Sequence, residues 1–189
     1  MLTESDGNIT KKSSEEIITL LRRTLSKDAK FIEDGKPAAV LIPLVMINGQ
    51  LYVILIRRSK KLKYHGGEYG FPGGVKENDE TPLQTAFREA EEELGIKKDF
   101  VEVLGFLPSI RTYITNFSIV PVVGLLSMPE GFTFNVNPKE VEEVILPPLS
   151  HLMEEAHQDM FGKYYLYDKH KIWGASARIL SKLLEIIKR

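Results

Sequence analysis

Three glutamates in one short segment, Glu89, Glu92 and Glu93, stand at i, i+3 and i+4. On a helix that spacing turns their carboxylates toward one face. Like charges so placed repel by a few tenths of a kcal/mol per pair, and near the end of a helix the dipole disfavours them by a further ~0.3 to 1 kcal/mol. A divalent cation reverses the balance, because hard oxygen ligands converging on one point suit Mg²⁺ or Mn²⁺. The plain alternative is a solvated acidic helix face, which is what most charge runs are. A second concentration of chemistry lies upstream. Arg57, Arg58, Lys60, Lys61 and Lys63 precede the stretch Gly66 to Gly74, which holds five of the fourteen glycines. Cations beside a glycine-rich loop offer a local anion site, although a strand end made soluble by basic residues has the same composition. His65 in this stretch is either a phosphate donor or a satisfied structural donor.

The acidic cluster needs a helix, and the sequence supplies its boundaries. Thr81, Pro82 and Gln84 read as an N-cap, a first-turn proline and a capping-box partner, and Gly95 stops the helix after Leu94. Ahead of the basic stretch, Ala38 to Met46 and Leu51 to Ile56 read as two strands joined by an Asn48-Gly49 turn. Ser13 and Glu16 form a capping box for an N-terminal helix with apolar positions at Ile17, Ile18, Leu20, Leu21 and Leu25. Val101 to Leu107, Ile119 to Leu126 and Val141 to Leu146 read as further strands, with an irregular connection from Pro129 to Pro138. Leu149 to His157 reads as a short helix, and Ser176 to Lys188 as an amphipathic one that Trp173 enters as a core residue. Strands that are partly hairpin-linked and partly helix-separated predict an α+β fold, a mixed sheet sandwiched between helices.

Composition narrows the function classes. The 189 residues are 43% hydrophobic, enough for one domain with a sizeable core. Residues 1–35 read as a polar segment and a helix packed on a main body of residues 36–189. With 25 basic and 26 acidic residues the formal net charge is -1, so no global field draws the chain to nucleic acid or an anionic membrane. The absence of cysteine excludes disulfides, thiolate nucleophiles and zinc–cysteine sites. The opening MLTESDGNITKK has no apolar core of signal-peptide length, and no later stretch reaches membrane-span length, so a cytoplasmic location is expected.

The acidic segment sits in a longer pattern. Gly74, five residues, Glu80, seven residues, then Arg88-Glu89-Ala90-Glu91-Glu92-Glu93-Leu94-Gly95-Ile96 resembles the box of the Nudix hydrolases, with every fixed glycine, glutamate and arginine matched. The resemblance implies hydrolysis of a diphosphate linkage in a nucleotide derivative, with divalent metal held by Glu89, Glu92, Glu93 and the Gly73 carbonyl. It also implies that Arg88 holds the glutamates while Glu80 is its ion-pair partner. A carboxylate outside the helix often serves as general base in this family. Glu140 is the candidate in NPKEVEEVILPPL, with Glu142 and Glu143 as alternatives. Glu92, Arg88 and Glu140 thus form the expected catalytic set.

Residues 57–74, RRSKKLKYHGGEYGFPGG, further resemble the signature of Nudix coenzyme A diphosphatases. Arg58, Ser59, Leu62, His65, Gly67, Phe71 and Pro72 fall in register, whereas Lys63 replaces an arginine and Glu68 a glutamine. The resemblance implies cleavage of coenzyme A or its thioesters to 3′,5′-ADP and 4′-phosphopantetheine products, with Arg57, Arg58, Lys63 and His65 toward the substrate. At Glu68 two outcomes are open, an outward carboxylate or an extra metal oxygen, and the second is expected. The rivals are a Nudix hydrolase of ADP-ribose, dinucleotides or nucleoside triphosphates, and a non-catalytic nucleotide-sensing domain. The partner expected is a small nucleotide substrate, and oligomeric state, a homodimer included, is left open.

Overall fold

The computed structural model describes residues 12–32, 34–62, 65–112 and 114–189. Helix α1 (Ser14–Thr24) opens with the expected capping box: the Glu16 amide donates to the Ser13 hydroxyl and the Ser13 amide to the Glu16 carboxylate. β1 (Lys36–Ile47) and β2 (Gln50–Val53) form the expected hairpin, with Asn48 and Gly49 at φ 50° and 76°. Two consecutive left-handed residues make the turn whose twist matches its strands.

The second apolar run is not one strand. It divides at Ile54 into β2 and β3 (Leu55–Arg58), and β3 belongs to a different sheet. The glycine-rich stretch, expected as a loop, contributes β4 (Tyr69–Gly70) and β5 (Gly73–Val75). Pro43 lies where the neighbour of β1 changes from β5 to β2. Its carbonyl accepts the Ile54 amide and, having no N–H, it leaves no donor unpaired at the junction.

Helix α2 (Pro82–Leu94) has the predicted Thr81 cap and ends at Gly95, whose φ of 70° suits glycine. β6 (Val101–Phe106), β7 (Ile110–Arg111) and β8 (Phe117–Leu126) complete a six-stranded sheet of order β2-β1-β8-β6, in which β5 also pairs with β1 and β7 with β8. The sheet is mixed, since β1 and β8 are parallel and the other pairings antiparallel. Strand alternation sends side chains to two apolar layers. Ala39, Leu41, Val45, Val120 and Val122 pack with Ala86, Ala90 and Leu94 of α2. Ile42, Leu44 and Val123 pack on the other face with Ile17, Ile18 and Leu21 of α1 and with Leu180, Leu183 and Leu184. The mixed sheet between helices is therefore as expected.

A second sheet joins β4, β3 and β9 (Val141–Ile145) in the order β4-β3-β9. Helix α3 (Leu149–Glu154) stops before the expected His157, which lies instead on β10 (Ala156–Asp159). That strand, β11 (Gly162–Tyr167) and β12 (His170–Ile172) form a third, antiparallel sheet. The helical expectation extended too far because the turn that makes Ala156–Asp159 a strand lies beyond it, at Met160-Phe161. Helix α4 (Gly174–Ile187) follows, entered through Trp173 as expected, but Trp173 is 44% exposed and is not a core residue. Among the described residues no helix is long and apolar enough to cross a membrane.

Candidate metal and active site

The last turn of α2 docks against the irregular segment before β9. The Leu94 carbonyl accepts the Asn135 amide and the Glu93 carbonyl the Asn137 amide, satisfying acceptors that a helix end leaves open. The Ser59 amide, just past β3, donates 2.7 Å to the Glu140 carbonyl. These bonds bring Glu140 to the helix: one carboxylate oxygen each from Glu89, Glu93 and Glu140 lie within 4.8 Å of one another. Such a donor set, three hard oxygens from three chain positions, fits a divalent cation of the magnesium or manganese kind.

Glu93 is the most enclosed member, 1% exposed. Its Oε2 accepts the Gly73 amide at 3.0 Å and its Oε1 lies 3.3 Å from Arg58 Nη1. Burial pushes its carboxyl up to about 8, against the lowering pull of Arg58 and the Gly73 amide, while Glu89 and Glu140 add repulsion. Glu89 is also raised by burial, against the opposing effect of Arg88. In both, burial outweighs the neighbouring arginine.

Arg88 makes contacts with both Glu80 and Glu89. Its Nε is 2.8 Å from Glu80 Oε1, its Nη1 2.8 Å from Glu89 Oε1, and its Nη2 donates to the Val75 carbonyl at 2.9 Å. The Arg88 hydrogen bond holds the Glu80 carboxyl down at about 2. Arg88 thus ties α2 to β5 and aims Glu89. The loop glycine completes the fit: a Cβ on Gly74 would sit 2.2 Å from Glu89 Oε1, so only glycine lets that carboxylate approach the backbone.

The remaining expectations fall unevenly. Glu92 lies outside the group of three; its side chain is 51% exposed, 3.3 Å from Arg88 Nη1. Neighbouring helix positions diverge by roughly 100° about the axis, and here the buried side belongs to Glu93. At Gly73 the backbone amide donates to the Glu93 carboxylate. Arg57 and Arg58 are successive strand residues and so point to opposite faces. Arg58 reaches Glu93, whereas Arg57 lies 3.3 Å from Glu142 and 3.6 Å from Glu143. Glu142 further accepts the Lys60 amide and Glu143 the Tyr69 hydroxyl, so of the three candidate bases Glu140 alone stands beside Glu89 and Glu93. His65 pairs with Glu68 at 3.1 Å, and Glu68, expected as a metal oxygen, is not among the three carboxylates that converge. Lys63 lies outside the described residues.

Sequence reasoning missed Asn137, whose amide bonds the helix end and whose Nδ2 donates 3.3 Å to Glu140 Oε1. Its place in a turn, one residue before Pro138, was the available signal. It also missed a contact between sheets: the Tyr69 hydroxyl, donating to Glu143 at 2.6 Å, meets His170 Nδ1 at 2.5 Å. No local pattern links positions so far apart in the chain.

The chain resembles known proteins in sequence and in fold. A model of the NUDIX domain matches residues 35–168. Nudix hydrolase NudL of Photorhabdus laumondii is 34% identical over 167 residues, covering 82% of this chain and 87% of the relative. Nudix hydrolase 3 of Caenorhabditis elegans is 32% identical over 190 residues, covering 86% and 79%. Among solved structures, a Caenorhabditis elegans Ap4A hydrolase in a binary complex has the same fold at a TM-score of 0.52 and 19% identity, over 63% of this chain and 84% of that one.

Proposed function

The chain belongs to the NUDIX family, and from that premise we propose that this hydrolase cleaves the diphosphate of coenzyme A or its thioesters, releasing 3′,5′-ADP and 4′-phosphopantetheine products. The observation that carries a diphosphate reaction is the convergence of Glu89, Glu93 and Glu140 within 4.8 Å. Glu89 and Glu93 would hold Mg²⁺ or Mn²⁺, which supplies positive charge to screen the diphosphate oxygens and polarise water. Glu140, oriented by Asn137, takes the proton of the attacking water. Water oxygen adds to one phosphorus, the bridging P–O bond breaks, and the bridge oxygen leaves on the other phosphate. Arg88 keeps Glu89 in place, and Glu92 stands at the rim beside it.

The choice of coenzyme A rests on the match of residues 57–74 to the diphosphatase signature. It is tested by incubating the protein with Mg²⁺ and coenzyme A, ADP-ribose, NADH and nucleoside triphosphates in parallel and identifying the products. Turnover of coenzyme A ahead of the others is the expected result. Preferred cleavage of ADP-ribose or a triphosphate replaces the substrate while leaving the diphosphate chemistry in place.

A further inference from the structure

Two arginines approach the acidic group, and they divide it between them. Arg88 contacts Glu80, Glu89 and Glu92. Arg58 contacts Glu93, at 3.3 Å, and Glu93 is 1% exposed. Arg58 is thus the one cation within ion-pair distance of the most buried carboxylate, among the described residues. The pair also spans elements. Arg58 ends β3, Glu93 stands in the last turn of α2, and Gly73 at the start of β5 holds the second oxygen of the same carboxylate. Each Glu93 oxygen therefore meets one N–H donor, and a carboxylate with four acceptor positions keeps two for another ligand.

We propose that Arg58 is a positioning residue for Glu93, fixing the carboxylate beside Glu89 and Glu140, and is not a subsite for a phosphate of the substrate. A buried carboxylate without a counter-charge is costly, and removing one partner of such a pair is far more damaging than removing both. Arg57, its neighbour in the strand, shares none of this role: alternation turns it away from Glu93, and the register irregularity between Arg57 and Arg58 brings both Glu142 and Glu143 within its reach. The single geometry at Glu93 asks for a donor on this strand at this position, a demand independent of which nucleotide is cut.

The proposal rests on the metal-site reading but not on the substrate, so its test has an arm for each. In EDTA, on the alkaline side of neutrality, thermal unfolding is compared for wild type, Arg58→Ala, Glu93→Gln and the double variant. Arg58→Ala is expected to lower Tm by about 5 °C or more in the wild type and by about 2 °C or less when Glu93 is already glutamine. Equal losses in both backgrounds mean the arginine does not act through Glu93. The second arm measures turnover of coenzyme A and dephospho-coenzyme A by the same proteins and by Arg58→Lys. Arg58→Ala should lower kcat about tenfold or more with the ratio of kcat/KM for the two substrates unchanged, and Arg58→Lys should recover part of kcat. A selective rise in KM for coenzyme A, with kcat kept, identifies Arg58 as a phosphate-binding residue and overturns the assignment. If neither substrate is cut, the substrate reading falls and the unfolding cycle still decides the role of Arg58.

Discussion

Glu93 shows how one residue can be both a burial problem and a functional asset. Taken out of water, its carboxyl is pushed to about 8 from an ordinary value of 4.5. The folded state then holds a proton that the unfolded state gives up, so the group contributes no penalty below about pH 4.5 and a growing one as pH rises toward about 8. Metal-free protein should therefore lose thermal stability across that window, and Glu93→Gln should flatten the loss when Tm is followed against pH in EDTA. The ligand assignment makes a companion prediction. Glu89→Gln and Glu93→Gln should each lower kcat by at least ~10²-fold with the fold intact, whereas exposed Glu92 should matter less. Steady-state kinetics at saturating Mg²⁺ check the order; an equal or greater effect at Glu92 would return it to the centre of the ligand set.

An element has to deliver these carboxylates at the right height and rotation, and α2 does so through its ends. Thr81 and Gln84 satisfy the first-turn donors, while the Asn135 and Asn137 amides satisfy the last carbonyls and draw Glu140 alongside. Thr81→Ala should cost about 1 kcal/mol, or roughly 2 to 4 °C in Tm, with kcat little changed, because the cap lies at the far end from Glu89 and Glu93. Gly74→Ala acts in the opposite sense. Its Cβ would displace the end of the Glu89 side chain, 2.2 Å away, so activity should fall by at least ~10-fold while Tm shifts little. Measuring both quantities on both variants separates an element that must form from a contact that must be kept open. Much of α2 was legible in advance, since caps, first-turn proline and terminal glycine act within a few residues. The extent of α3 was not, because whether residues 156–159 continue a helix or start a strand depends on the hairpin partner Gly162–Tyr167.

At the scale of the molecule, three sheets are tied together. β3 leaves the main sheet at Ile54 and carries Arg58, β9 follows Glu140, and the Tyr69–His170 contact fastens the third sheet to β4. A cation held by Glu89 and Glu93 should stabilise the whole fold by mass action. Mg²⁺ or Mn²⁺ should raise Tm in step with its concentration, and the increase should vanish in Glu93→Gln; magnesium and manganese titrations followed by calorimetry measure it. An unchanged Tm in wild type with saturating Mg²⁺ would speak against metal at this group.

The box, the helix that carries it and the mixed sheet beneath it could be read from the chain alone. Those features depend on side-chain period, caps and turns, which act over short stretches. Which carboxylates meet depends on packing between distant segments. The spacing of 89, 92 and 93 treats the three as equals, but a helix has a buried side only once it is packed, and packing took Glu93 inward and left Glu92 at the surface. Glu140 joined them through backbone bonds from Asn137 and Ser59, and Arg58 parted from Arg57 by strand alternation. Glu68, equally close in sequence to the glycine loop, was claimed by His65. Proximity along the chain proposes partners, and the burial of one face over another chooses among them.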